Sequence, residues 1–343
     1  MTPGPTGPPL PKAAPGGAAG RISGLVWVAL LAAASIAVAP RVPGVNAVVV
    51  GLLVGLVVAN SPLRDRLVDD ASVTFVTHRV LRFTVVLLGA SIDLRLLGEV
   101  GVAGIAVIVV AILVGLSMAW FVGGRLGLET RSRLLIGVGT AICGASAIAA
   151  VAPLLRAKKE QIGVALATIF AFNALALVAY PVVGRVLDMS AVAYGTWAGV
   201  GVHDTAAAVA AGFIHGPEAG AVATLVKLTR TLFLIPLMMA LVPIAERWSE
   251  EAPPTRRRLP PIPWFILGFL LLATLNTLGW IDWGRQAAAS VAGALIVGVV
   301  VAVGLTLHVR SIARLGRPLF LTGLIASATV GLVALGLVHL LGW

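Results

Sequence analysis

Nine residues in three stretches of the chain combine types and spacings suited to handling a charged solute. His203, Asp204 and Thr205 sit in GVGVHDTAAAVAAG (199–212), an otherwise apolar, glycine-punctuated segment. An ionisable group at membrane depth costs at least about 2.5 kcal/mol on insertion scales, so it is a functional candidate by default. A carboxylate can accept a proton and an imidazole can exchange one near neutral pH. The alternative is a mutually satisfied polar pair that fastens two helices. Lys227 and Arg230 lie inside the apolar run 220–244, three residues apart and so on one helix face. A guanidinium fork suits a planar or tetrahedral oxyanion. A permanent Arg230–Asp204 ion pair is the competing reading, but one carboxylate does not balance two cations, which favours an anion site. The histidines at 78, 215, 308 and 339 have no ligand spacing to His203 or to one another, so no metal is expected.

The remaining four candidates, Thr140, Cys143, Gly144 and Ser146, fall in LLIGVGTAICGASAIAAVAPLL (134–155). This run is charge-free and of membrane length. Its centre is rich in glycine and small polar groups, which a span built only to cross lipid does not need. Lipid offers no partner to freed N–H and C=O groups, so a break there must face protein or a water-filled cavity. Broken helices at mid-depth are where secondary transporters place substrate. The alternative is a small-residue packing face between helices.

The elements that must position these residues are membrane helices. Hydrophobic residues make up 59% of the 343-residue chain and charged ones 11%, where soluble domains carry about 25% charged residues. Uncharged runs at 22–40, 42–63, 101–124, 134–155, 259–281 and 286–307 are long enough to span. Others, at 84–98, 162–187, 190–212, 220–244 and 319–341, carry one or two charges. The expectation is an all-α polytopic membrane protein of about eleven spans. Residues 1–20, rich in Pro and Gly, are expected to form a disordered cytoplasmic tail, and 21–343 a single transmembrane domain. The net charge of +11 resides between apolar runs, where it sets orientation; it is no nucleic-acid signal. Cys143 is the single cysteine, so no intrachain disulfide forms.

Lys12 and Arg21 precede the first run and place the N-terminus in the cytoplasm. Alternation then puts Arg64, Arg66, Arg79, Arg82, Arg125, Arg131, Arg133, the 247–258 loop and Arg310, Arg314 and Arg317 inside. Arg156, Lys158 and Lys159 resist the scheme: if 134–155 crosses, they lie outside. Two topologies fit. One has eleven crossings. The other has nine crossings and two re-entrant hairpins, at 134–155 and 190–212, with the same ends. A faint inverted repeat relates RVLRFTVVLL (79–88) to KLTRTLFLIP (227–236), and carries the broken segment onto 289–298.

The runs GTAICGASAIAAVAPLLRAKKE, GTWAGVGVHDTAAAVAAG and ATLVKLTRTLFLIP, in that order, resemble the sulfate exporter family of YeiH-like bacterial inner-membrane proteins. The resemblance implies a multi-pass secondary transporter with a bile-acid-sodium-symporter-like fold, in which panel helices and core helices interleave and discontinuous helices cross. It also implies an oxyanion of the sulfate or sulfite class as substrate. Many members of the family that this chain resembles carry His-Glu where it has His203-Asp204, one methylene shorter. The leading expectation is therefore alternating-access transport of a small anion, driven by a proton or sodium gradient. The alternative is a cation or proton antiporter of the same fold using Asp204. An enzyme is not expected: no GxSxG or HExxH motif occurs, and no ATP-binding loop. No cofactor or nucleic-acid partner is expected; lipid and a second copy of the chain are the other expected partners.

Overall fold

The computed structural model describes residues 18–41, 46–91, 96–246, 264–307 and 317–343. Of the expected tail at 1–20, residues 1–17 lie outside them, as do the basic loops at 247–258 and 310–314, while residues 18–20 open the first helix. Among the described residues every regular element is helical: α1 (Ala18–Val38), α2 (Ala47–Ala59), α3 (Arg64–Leu67), α4 (Asp70–Phe75), α5 (Leu81–Gly89), α6 (Leu96–Arg125), α7 (Thr130–Ala141), α8 (Ala145–Val151), α9 (Lys159–Val186), α10 (Ala191–Gly201), α11 (Thr205–His215), α12 (Pro217–Leu232), α13 (Leu234–Glu246), α14 (Trp264–Thr277), α15 (Asp282–Leu305) and α16 (Arg317–Leu340). A wider, π-type turn at Val76–Val80 joins α4 to α5 in one continuous rod. Seven helical stretches have the length and composition to cross a membrane, while α2 and α14 are shorter apolar helices. Large apolar side chains face outward along them, Val57, Val102 and Leu332 among them. That exterior suits lipid rather than water.

The two segments that sequence left open each double back as a helical hairpin. In the first, α7 runs up to a turn at 142–144 and α8 returns beside it, so that Ile148 packs against Gly139. The limb ends where it began: Gln161, at the start of α9, donates to the Glu129 carboxylate just before α7. In the second, α10 and α11 lie antiparallel. The Tyr194 hydroxyl donates to Ala211 O at 3.1 Å, its ring stacks on His215 at 4.0 Å, and His215 Nε2 pairs with Met189 O at 3.1 Å across the base. Of the two topologies that sequence left open, discontinuous crossing helices or hairpins, the described residues have the form of two helical hairpins. The limbs lie side by side rather than end to end: α7 and α8, of 12 and 7 residues, meet at Gly139 and Ile148, and α10 and α11, of 11 each, meet at Tyr194 and Ala211. At 1.5 Å per residue none exceeds about 18 Å.

Helix α9 organises both. Its first half lies along hairpin 1, with Ile169 against Gly139 and Gly144. Its second half lies along hairpin 2, with Gly184 facing Tyr194 and Tyr180 facing Gly201. The hairpins therefore enter from opposite ends of a helix of 28 residues, about 42 Å long, and their turns meet near its middle. Hairpin 2 then packs both limbs on α12. A Cβ at Gly195 or Gly199 would lie 2.7 or 2.9 Å from a carbonyl oxygen of α12, and one at Gly212 would lie 2.7 Å from the Ala223 methyl. Only glycine permits that approach. The proposed repeat does not extend to hairpin 1: residues 289–298, its sequence partner, lie within the unbroken α15.

Candidate functional site

Helix α12 carries its two cations to the point where the hairpin turns meet. Both are fully buried. Lys227 Nζ donates to Ile142 O at 3.0 Å and to Val202 O at 2.7 Å, one carbonyl from each turn. Arg230 Nε donates to Ala141 O at 2.6 Å and its second terminal nitrogen to Thr140 O at 2.7 Å; the other terminal nitrogen donates to Val200 O. These are the carbonyls that α7 and α10 leave unpaired at their C-terminal ends. Cations belong there, because the helix dipole concentrates negative partial charge on them. With charged donors each such bond contributes roughly 1.5–3 kcal/mol, and an orphaned buried carbonyl costs about as much. The Arg230 fork is thus closed on backbone, not open to solute. Among the described residues neither cation forms an ion pair with Asp204. Both sequence readings of Arg230, anion fork and Asp204 partner, give way to this clamp.

The second turn is fixed from two more directions. Asn173, mid-way along α9 and buried, accepts from the backbone N–H of His203 at 3.2 Å and of Asp204 at 3.1 Å. Asp204 is the N-cap of α11, its carboxylate accepting from Ala206 N at 2.9 Å and Ala207 N at 3.4 Å. His203 points the other way and pairs with the Ser327 hydroxyl of α16 at 2.6 Å. The first turn depends on Gly144, whose φ of 62° and ψ of −124° suit glycine alone. A Cβ there would also stand 3.4 Å from Asp204 Cα, so the two turns touch through this residue.

Below the turns, further along α12 than Arg230, lies a cavity of about 260 Å³. Cys143 and Ser146 line it from hairpin 1, and Asp204, Thr205 and Ala206 from hairpin 2. Thr231 and Leu234 close one side, Thr77, His78 and Arg82 another, and Trp264 and Phe265 of α14 a third. The Arg82 guanidinium lies 5.7 Å from the Phe265 ring centroid, within cation–π range. His78, Arg82 and Trp264 are solvent-exposed and form the mouth. With their C-terminal partners neutralised by α12, the N-terminal ends of α8 and α11 face this space with positive partial charge. Asp204 is the one carboxylate among the lining residues.

Of the nine residues singled out in sequence, Cys143, Ser146, Asp204 and Thr205 line the cavity. Gly144 shapes its roof, while Lys227, Arg230, Thr140 (through its carbonyl) and His203 stand behind it in the protein. Sequence reasoning missed Thr77 and Arg82, the latter assigned by charge bias to the cytoplasmic edge, and weighed His78 only as a metal ligand. The signal was present, for the 79–88 and 227–236 similarity pairs Arg82 with Arg230. Asn173 and Ser327, scattered among other small polar residues in long apolar helices, carried no pattern of their own.

An apolar-surfaced helical bundle with polar side chains and broken backbone gathered at its centre defines a polytopic membrane protein. This chain belongs to the family described as Conserved hypothetical protein 698, whose model matches residues 23–323. A UPF0324 membrane protein of Bdellovibrio bacteriovorus is 36% identical over 310 residues, covering 88% of this chain and 91% of the relative. A UPF0324 membrane protein of Vibrio vulnificus is 34% identical over 290 residues, 83% of this chain and 89% of that one. One from Fusobacterium nucleatum is 30% identical over 344 residues, 94% and 99% of the two chains. No solved structure matches the chain.

Proposed function

We propose that this protein is a secondary transporter of a small oxyanion, of the sulfate or sulfite class, in the bacterial inner membrane. The observation that carries the reading is the cavity where two opposed hairpins meet, walled by the N-terminal ends of α8 and α11 and by Arg82. Its 260 Å³ holds roughly nine waters at about 30 Å³ each, room for a tetrahedral oxyanion with part of its hydration shell. Arg82, a lining residue whose guanidinium lies beside Phe265, takes the contact role, and Lys227 and Arg230 add positive potential from behind. Asp204 would carry a coupling proton, since an ionised carboxylate beside the anion repels it.

In this reading the seven long helices with α2 and α14 make nine crossings, with the N-terminus in the cytoplasm. Hairpin 1 enters from the cytoplasm and hairpin 2 from outside. Arg156, Lys158 and Lys159 then join Arg125, Arg131 and Arg133 on the inner face, as the positive-inside rule requires. The cavity mouth lies on that same side, an inward-facing state. A second reading, cation or proton antiport, draws on Asp204 being the carboxylate of the cavity wall.

Proteoliposomes loaded with radiolabelled sulfate or sulfite, under imposed pH and sodium gradients, separate the two. Arg82→Ala is expected to weaken anion uptake about tenfold to over a hundredfold, the equivalent of one charge-assisted hydrogen bond. Arg82→Lys restores part of it. Normal anion affinity in Arg82→Ala, with cation flux abolished in Asp204→Asn, would replace the anion reading with the antiport one.

A further inference from the structure

The carbonyls of Ile142 and Val202 belong to different hairpins yet point at one position, which Lys227 Nζ fills at 3.0 and 2.7 Å. Carbonyls at the C-terminal ends of half-helices carry negative partial charge and lack intrahelical partners. At mid-membrane such groups coordinate alkali cations in transporters built from broken helices. Here the position is sealed from solvent, since Lys227, Ile142 and Val202 are all buried to 0% exposure. The ammonium arrives on a helix that packs against both limbs of hairpin 2, where Gly195, Gly199 and Gly212 hold α12 at close range. Arg230 meanwhile occupies the carbonyls of Thr140, Ala141 and Val200, so the two cations divide the buried helix ends between them.

We propose that the carbonyls of Ile142 and Val202 form a monovalent-cation site shared by the two hairpins, and that the Lys227 ammonium is its built-in occupant. The chain accordingly needs no alkali cation to hold its hairpins together. Lys227→Ala removes the occupant and leaves the carbonyls, with space for a small cation. The inference is independent of what the protein carries, because its readout is stability rather than transport.

The test compares thermal unfolding of detergent-purified wild type and Lys227→Ala in choline chloride, sodium chloride and methylammonium chloride at equal ionic strength. Wild type is expected to unfold at the same temperature in all three. Lys227→Ala is expected to unfold at lower temperature in choline and to recover saturably with methylammonium, by roughly 5 °C well above the dissociation constant. If the variant yields no folded protein in choline, extraction in methylammonium is expected to restore a monodisperse species. Lys227→Met, which fills the same space without a donor, is expected to gain nothing from any cation. The proposal is overturned if wild type itself is saturably stabilised by sodium. It is equally overturned if Lys227→Ala responds to no small cation in either assay, or if Lys227→Met responds as Lys227→Ala does.

Discussion

The two hairpins meet at one point but are built to different tolerances. Hairpin 2 has limbs of equal length, an N-cap at Asp204 and a turn held by Asn173. Ala206 to Gly212 are buried without interruption. Hairpin 1 returns through only seven residues, with no side-chain cap, and Ser146 and Ala149 are exposed. Its turn depends on one glycine in a conformation other residues avoid. The contrast assigns hairpin 2 to the fixed frame and hairpin 1 to the looser wall of the cavity. Local opening follows low contact and weak capping, so under the transport proposal hairpin 1 is the element expected to yield.

The clamp couples the two, and breaking it should erase the difference. Arg230→Ala leaves three carbonyls from both hairpins without donors. At about 1–3 kcal/mol for each unsatisfied group, the loss approaches the whole stability of a domain. Monodisperse yield in detergent is expected to collapse; a well-folded Arg230→Ala would contradict the clamp. Arg230→Lys, keeping the charge but not the fork, should fall between.

Gly144→Ala comes next. A side chain at that φ and ψ costs roughly 1–3 kcal/mol, and the added Cβ meets the Ile169 side chain at 3.2 Å. The expected outcome is a folded protein whose hairpin 1 exchanges amide hydrogens faster, with hairpin 2 unchanged. Equal loosening of both would dissolve the contrast.

The smallest effects test the frame. Asp204→Ala should lower stability by about 0.5–2 kcal/mol through loss of the cap, whereas Asp204→Asn, an equally good cap, should leave it near wild type. Any change of transport with pH in Asp204→Asn therefore reports the proton and not the fold. Unaltered pH dependence in that variant would take Asp204 out of coupling.

Composition and run length were enough to read a helical membrane bundle, and the glycine-broken runs marked both turns. Path was harder. Thr140 to Ser146 looks the same in sequence whether the chain continues or returns, because the turn is held by groups distant in sequence, Lys227 and Arg230 on its carbonyls and Ile169 against Gly144. The one local hint was electrostatic: Arg156, Lys158 and Lys159 fit the inner face only if the chain turns back. Lys227 and Arg230 were found as buried cations, but their acceptors were not, since backbone carbonyls leave no trace in residue type. Arg82 was hidden by its place near the edge of an apolar run.

The central claim, that the hairpins enter from opposite faces, is open to one direct measurement. With Cys143 replaced by Ala, single cysteines at Lys158 and at Glu218, both exposed, are probed with a membrane-impermeant thiol reagent in intact cells and in inverted vesicles. The account predicts labelling at 158 from the cytoplasmic side alone and at 218 from the outer side alone. Labelling of 158 from outside would mean that 134–155 crosses the membrane, and the two-hairpin architecture would be wrong.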